Sequence, residues 1–250
     1  MSRKKKRRGF GVRLARIALG ALVATTITLL VWEIFFLRLD DLRDPRSVRT
    51  IRVPTPQGSR ELVVGPTNPY WTPLGAVSPT LVLCVVRSED AKFYQHHGFD
   101  WDQMQDAFER NVDEGEYHRG GSTITQQLAK NLVLWREKSL PRKALEAYVT
   151  WRLEQTLAKK RILELYLNVV EWGPGIYGIG EASRHYFGKT PSALTLGESA
   201  LLAVTLPNPI RWNPERSPAF AMKRQQQLLS RLRSENAIAD LPASDAAGRE

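Results

Sequence analysis

Arg119-Gly120-Gly121-Ser122-Thr123-Ile124-Thr125-Gln126-Gln127-Leu128-Ala129-Lys130-Asn131 reads as a break followed by a helix start. The paired glycines interrupt any regular element. Thr123 with Gln126 three residues later makes a capping-box pattern, so the spacing predicts a helix over Thr123 to Val133. Such a start presents free N–H groups and the positive end of the helix dipole, a combination suited to an anionic group. Lys130 lies four residues after Gln126 and three after Gln127, so the three share a face. Taken alone, ordinary capping explains the pattern better than anion binding does.

Helical periodicity with short breaks continues in both directions. Upstream, Phe99 to Val112 reads as a helix with Trp101, Met104, Ala107 and Phe108 on one side. Thr80 to Ser88 is apolar and fits either a strand or a buried helix. Downstream, Pro141 suits the first turn of a helix whose Leu145, Val149, Leu153 and Leu157 form a stripe. Arg161 to Asn168 continues as helix, Gly173 to Gly180 is a glycine-rich loop, and a helix ends at Gly188. Leu196 to Leu206 is a buried helix closed by Pro207-Asn208-Pro209, and Pro218 to Ser234 is a last, polar helix. Residues 78–235 are therefore expected to form one mainly α domain, and the small polar tail 236–250 to be disordered. Residues 38–77, rich in Pro and Gly, are expected to be a juxtamembrane linker, extended or carrying a short hairpin.

The N-terminus differs in kind. Residues 1–16 carry eight Lys/Arg and no acid, and hold most of the formal charge of +10. The remainder nets +2, which argues against a broad nucleic-acid-binding face. Ile17 to Leu37 is a run of 21 residues with Glu33 as its one charge. As a helix it would rise about 31 Å, against a hydrocarbon core of about 30 Å. The basic arm before it places the N-terminus in the cytoplasm. The run is too long for a signal-peptide core and holds no A-x-A site, so a retained transmembrane helix over 17–37 is expected, with the following domain outside the cytoplasm. Cys84 is the only cysteine and lies in the apolar stretch Leu81 to Val86, so it reads as a small buried hydrophobe.

Besides the opening stretch, three segments put polar groups where a core would not want them. Glu89-Asp90 follows an apolar run, and a carboxylate at such an edge is partly desolvated, which raises its pKa and makes it a better base. A solvated acidic pair is the plainer alternative. Arg142 and Lys143 precede Glu146 by four and three residues, so two cations and a carboxylate share one helix face, which would also suit an ordinary surface cluster. Gly173-Pro174-Gly175-Ile176-Tyr177-Gly178 is a literal G-x-G-x-x-G with Glu198 twenty residues on. A dinucleotide site is rejected here, because the preceding chain reads as helix and no βαβ units surround it.

In this order the segments resemble the peptidoglycan glycosyltransferases of family 51. Glu89-Asp90-x-x-Phe93-Tyr94-x-His96-x-Gly98 is similar to its first motif. Gly120-Gly121-Ser122-Thr123-Ile124-Thr125-Gln126-Gln127-Leu128-x-Lys130-Asn131 is similar to its second. Arg142-Lys143-x-x-Glu146-Ala147, continuing to Lys159 and Ile162-Leu163-Glu164-Leu165-Tyr166-Leu167-Asn168, is similar to its third. Gly175-x-x-Gly178-x-x-x-Ala182-x-x-x-Tyr186-Phe187-Gly188-Lys189 and Leu201-Leu202-Ala203 through Pro207-Asn208-Pro209 to Asn213-Pro214 resemble the last two. The likeness covers roughly residues 75–232. It departs at Ala158-Lys159, where the family has Ser-Lys. Asn111 to Arg119 corresponds to the family's mobile segment.

The resemblance implies a lysozyme-like helical fold and polymerisation of lipid II onto a lipid-linked glycan strand, with release of undecaprenyl pyrophosphate. It implies Glu89 as catalytic base and Glu146 as second carboxylate. It assigns Asp90, Phe93, His96, Gly121, Ser122, Thr123, Gln127, Lys130, Asn131, Arg142 and Lys143 to substrate binding. No covalent cofactor is implied, a divalent cation (Mg or Mn) is compatible, and no metal ligands are identified. The expected partners are the lipid substrates, the inner membrane and other cell-wall synthesis proteins, with no nucleic acid. The only Ser-x-x-Lys is Ser2-Arg3-Lys4-Lys5 in the arm, so a single-activity enzyme is expected. Two rival readings are a glycan-cleaving enzyme of lysozyme-like fold and a non-catalytic anchored scaffold.

Overall fold

The computed structural model describes residues 2–32, 38–114, 121–133, 140–239 and 241, and the chain divides into two compact units, residues 1–42 and 43–250. The first unit holds helix α1 (Ser2–Trp32). Leu14, Ile17, Leu19, Leu22, Val23 and Ile27 on it are all exposed. The hydroxyls of Thr25, Thr26 and Thr28 each donate to the carbonyl four residues earlier at 2.9 Å, so these polar groups are satisfied within the helix. Among the described residues no helix is long and apolar enough to cross a membrane. The expected span 17–37 runs into residues 33–37, which lie outside the described residues, as do most of the expected tail 236–250 and residues 115–119 of the expected mobile segment.

The second unit begins with strands β1 (Arg49–Thr55) and β2 (Gly58–Val64), paired antiparallel from Arg49 opposite Val64 to Thr55 opposite Gly58. Ile51 and Val53 alternate inward on one strand, and Leu62 and Val64 on the other. The expected linker is thus an integral hairpin. Arg60 pairs with Glu181 at 2.5 Å, and the Tyr177 hydroxyl donates to the Pro54 carbonyl at 2.8 Å. These contacts are made by residues more than a hundred positions away, so the domain starts well before residue 78.

The apolar run that fitted strand or helix is helix α2 (Pro79–Glu89), which buries Leu81, Cys84, Val85 and Val86. Helix α3 (Trp101–Glu114) starts later than expected, because the Asp100 carboxylate accepts from the Gln103 amide and caps it. Trp101 does not join the core stripe. It is 69% exposed and stacks on Phe99, while Ala107 is buried.

Helix α4 (Ile124–Val133) follows the predicted capping box: the Thr123 amide donates to Gln126 Oε1, and the Gln126 amide to Thr123 Oγ1. Helix α5 (Leu140–Thr156) buries Val149 and Leu153, and the stripe continues to buried Leu157. Helix α6 (Lys159–Val169) carries the fully buried Tyr166. A two-strand ribbon, β3 (Glu171–Gly173) with β4 (Ile176–Tyr177), leads to helix α7 (Ile179–Phe187), which ends on Gly188 in the left-handed conformation. Helices α8 (Leu196–Ala203) and α9 (Pro218–Ser234) complete the unit. Helix α4 packs on α5 and α6, and α2 packs on α8 and α9. Trp172, Tyr166 and Phe93 are the largest fully buried side chains.

Candidate active site

Glu89 is the last residue of α2. A carboxylate there faces the negative end of its own helix dipole, which disfavours ionisation. The residue as a whole is half-buried, but its carboxyl group is enclosed. Burial is the main cause that pushes its pKa from 4.5 up to about 7. The Gln127 hydrogen bond and the positive charge of Arg224 pull it down, and neighbouring Asp90 pushes it further up. Gln127 Nε2 donates to Glu89 Oε2 at 2.8 Å, and Oε1 is buried with no hydrogen-bond partner among the described residues. A carboxyl group that titrates near neutrality with one oxygen unengaged is equipped to take up a proton.

Gln127 links two helices to this group. From α4 it reaches Glu89 on α2, while its Oε1 accepts from the Tyr166 hydroxyl of α6 at 3.0 Å. Asn131, one turn further along α4, donates from Nδ2 to the Gln127 carbonyl at 2.9 Å. Ser122 is exposed just before the helix.

Asp90, Phe93 and Thr123 are buried, and the His96 side chain is 9% exposed. Asp90 is 1% exposed and its two oxygens lie 2.9 and 3.1 Å from His96 Nε2. The Gly98 amide donates to His96 Nδ1 at 3.1 Å, so the proton of a neutral His96 sits on Nε2 and points at Asp90. Asp90 Oδ2 also accepts from the Ile124 amide at 3.0 Å. The start of α4, read from the sequence as a place for an anion, is occupied by the protein's own carboxylate. Thr123 is fully buried and donates from Oγ1 to the Gly98 carbonyl at 2.7 Å. Phe93 is fully buried with Lys159 Nζ 4.5 Å above its ring. Gly121 leaves room for α3, since a Cβ there would lie 3.2 Å from that of Ala107. Through these contacts the five residues pack within the protein and tie the segment after α2 to the start of α4.

The third sequence cluster is assembled as predicted. Glu146 is 4% exposed, Arg142 donates to its Oε2 at 3.2 Å, and Lys143 binds its Oε1. Lys143 and Lys130 are exposed, on two helices that pack together. Arg and Lys side chains gathered in this way can stabilise negative charge that develops on a reacting group.

Three groups escaped the sequence reading. Tyr166 is named within the third motif but given no role. Arg224 sat on a helix read only as polar, yet its guanidinium stacks 4.6 Å over Trp212 and its charge acts on Glu89. Glu154 accepts from Lys159 at 2.8 Å and from Thr125 at 2.5 Å, tying α4 to α5 and α6.

The glycine-rich loop is a packing device. At Gly178, φ is +86° and a Cβ would sit 2.8 Å from the Asn168 carbonyl oxygen. Glu198 closes the capping box of α8 and binds Lys189, so it is spoken for. The Cys84 thiol is pushed up to about 12 by burial and is no nucleophile at neutral pH. Among the described residues no three His, Cys, Asp or Glu are placed to hold a metal ion.

The helical scaffold thus carries an enclosed carboxyl group of raised pKa at Glu89 and, on α5, a buried carboxylate paired with two cations. The chain belongs to the transglycosylase family, whose sequence model matches residues 59–233. It is 49% identical over 158 residues to a biosynthetic peptidoglycan transglycosylase of Pasteurella multocida, covering 63% of this chain and 64% of that protein, slightly under two thirds of its length. A relative of the same description from Nitrobacter hamburgensis is 47% identical over 166 residues, covering 66% of this chain and 73% of its own. Another from Janthinobacterium is 44% identical over 164 residues, covering 66% and 71%.

Proposed function

We propose that this protein is a peptidoglycan glycosyltransferase that polymerises lipid II into linear glycan strands for the cell wall. The observation that carries the reading is Glu89: an enclosed carboxyl group with its pKa raised to about 7, held through one oxygen by Gln127 and without a hydrogen-bond partner among the described residues at the other. Family membership and the relatives' descriptions support the same reaction.

Glu89 takes the proton of the acceptor sugar's 4-hydroxyl. The oxygen attacks the anomeric carbon of the donor strand, the bond from that carbon to the diphosphate oxygen breaks, and the configuration inverts from α to β. Undecaprenyl pyrophosphate leaves with the electron pair. Lys130, Arg142 and Lys143 meet the charge that develops on it, and Glu146 holds the last two in place. Ser122, Gln127 and Asn131 take part in substrate binding in this reading. A divalent cation, Mg or Mn, would be held mainly by the diphosphate, because Glu146 is already engaged by Arg142 and Lys143 and no three-carboxylate cage exists among the described residues. No step requires it.

The proposal extends to a lysozyme-like architecture for the domain and to an inner-membrane anchor over 17–37, with the N-terminus cytoplasmic and the domain periplasmic. The exposed apolar residues of α1 following a basic arm support the anchor, and lipid-linked substrates give it a purpose. Other cell-wall synthesis proteins are its natural partners.

The deciding experiment is polymerisation of labelled lipid II by detergent-purified full-length protein, wild type beside Glu89→Gln. Long glycan products from wild type alone establish the reaction and its base. Folded wild type that makes no product overturns the assignment, and product from both keeps the reaction and removes Glu89 as base.

A further inference from the structure

We infer that Tyr166 is a positioning residue for this reaction, its buried hydroxyl holding the Gln127 amide in the orientation that turns Nε2 toward Glu89. The inference rests on the reading of Glu89 as the base. Tyr166 is fully buried on α6, and the acceptor of its hydroxyl is Gln127 Oε1 at 3.0 Å. The same amide gives its nitrogen to Glu89 Oε2 at 2.8 Å.

A primary amide can be turned over with almost no change of shape, so packing does not choose between its two orientations. Hydrogen bonding does. In the observed orientation Tyr166 donates to oxygen and the amide N–H donates to an ionised carboxylate. Turned over, the amide oxygen would face Glu89, two acceptors in contact unless Glu89 carries a proton. The Tyr166 hydroxyl would face N–H groups and lose the acceptor for its own buried proton. Tyr166 thus favours the amide orientation that goes with ionised Glu89, the form able to take a proton from the acceptor sugar.

Two further charges act on Glu89 and leave this link intact: Asp90, the next residue after α2, opposes ionisation, and Arg224 on α9 favours it. Tyr166 itself stays protonated, since burial, with Glu89 and Asp90 nearby, raises its pKa well above the usual value. A residue that merely filled space would act on Glu89 through burial alone, and Tyr166→Phe keeps that burial.

The test is the pH dependence of kcat/KM for lipid II polymerisation by full-length wild type, Tyr166→Phe, Gln127→Met and the double variant, with Glu89→Gln as reference. Tyr166→Phe is expected to move the acid limb up by about half to one pH unit, a roughly three- to tenfold loss on that limb that closes as pH rises. Gln127→Met is expected to move it in the same direction. Adding Tyr166→Phe to Gln127→Met is expected to produce no further shift, because the hydroxyl acts through the amide. An unmoved limb in Tyr166→Phe, or a second additive shift in the double variant, overturns the inference. If Tyr166→Phe does not fold, fluorotyrosine at position 166 keeps the shape and strengthens the donor. It is expected to move the limb down, and an unmoved limb again overturns the inference. Activity surviving in Glu89→Gln would instead be a failure of the base assignment, a separate outcome read from a separate variant.

Discussion

Gln127 Nε2 holds Glu89 Oε2 at 2.8 Å, while Glu89 Oε1, equally buried, has no hydrogen-bond partner among the described residues. One oxygen fixes the carboxyl plane and the other is left to act. With the pKa raised to about 7 by burial, the rate should depend on ionisation of this one group. The acid limb of kcat/KM is expected to have its midpoint near neutrality, and Glu89→Gln to lose about 10²–10⁴-fold. Initial rates of lipid II polymerisation across pH check both.

The same shift has a stability consequence of opposite sign. Between the unfolded value of 4.5 and the folded value of about 7, the folded protein holds the Glu89 proton and the unfolded chain releases it. Stability therefore falls as pH rises through that window, and the full cost is present above it. Glu89→Gln is expected to be more stable than wild type at alkaline pH by up to about 3 kcal/mol, the gain vanishing below about pH 4.5. Denaturant unfolding at several pH values measures it.

At Glu146 the two ion pairs are unequal. Arg142 is 12% exposed and Lys143 is 53% exposed, so solvent screens the second far more than the first. Glu146→Ala is expected to destabilise by about 1–3 kcal/mol, chiefly by leaving the Arg142 charge without its carboxylate, and to lower turnover. Lys143→Ala is expected to change stability by less than about 1 kcal/mol while still slowing polymerisation. Melting curves beside single-turnover assays separate the two effects.

Two glycines in α7 and at its end should respond differently to alanine. A Cβ on Gly180 would lie 2.1 Å from the Tyr70 carbonyl oxygen and 2.9 Å from its carbon, both backbone atoms that cannot step aside. Gly188 has nothing within 4 Å and only a φ of +66° to maintain. Gly180→Ala is expected to cost more than about 3 kcal/mol, and Gly188→Ala about 1 kcal/mol. Comparative thermal unfolding tests the ranking.

The limits of legibility follow the range of the forces. The Thr123–Gln126 capping box, the Gly188 helix end and the Pro218 helix start were readable because each depends on residues within about four positions. The sequence put Trp101 on one side of a helix without saying whether it would be buried, and only the stack on its neighbour Phe99 shows that it stays exposed. The hairpin at 49–64 was left open as a linker because its partners, Glu181 and Tyr177, come from far along the chain.

The sequence by itself determined the helical class and the order of the motifs, and the family resemblance of those motifs singled out Glu89, Glu146 and the cations near it as candidates, since residue type and local spacing are what a motif records. Tertiary structure alone decided what those residues do to one another. Glu89 and Gln127 are 38 positions apart, and Tyr166 is 39 beyond Gln127, so no periodicity relates them. Packing of α4 on α6 and the burial of the end of α2 bring them together. Exclusion of water there turns an ordinary carboxylate into one poised near neutrality, and that exclusion belongs to the fold as a whole.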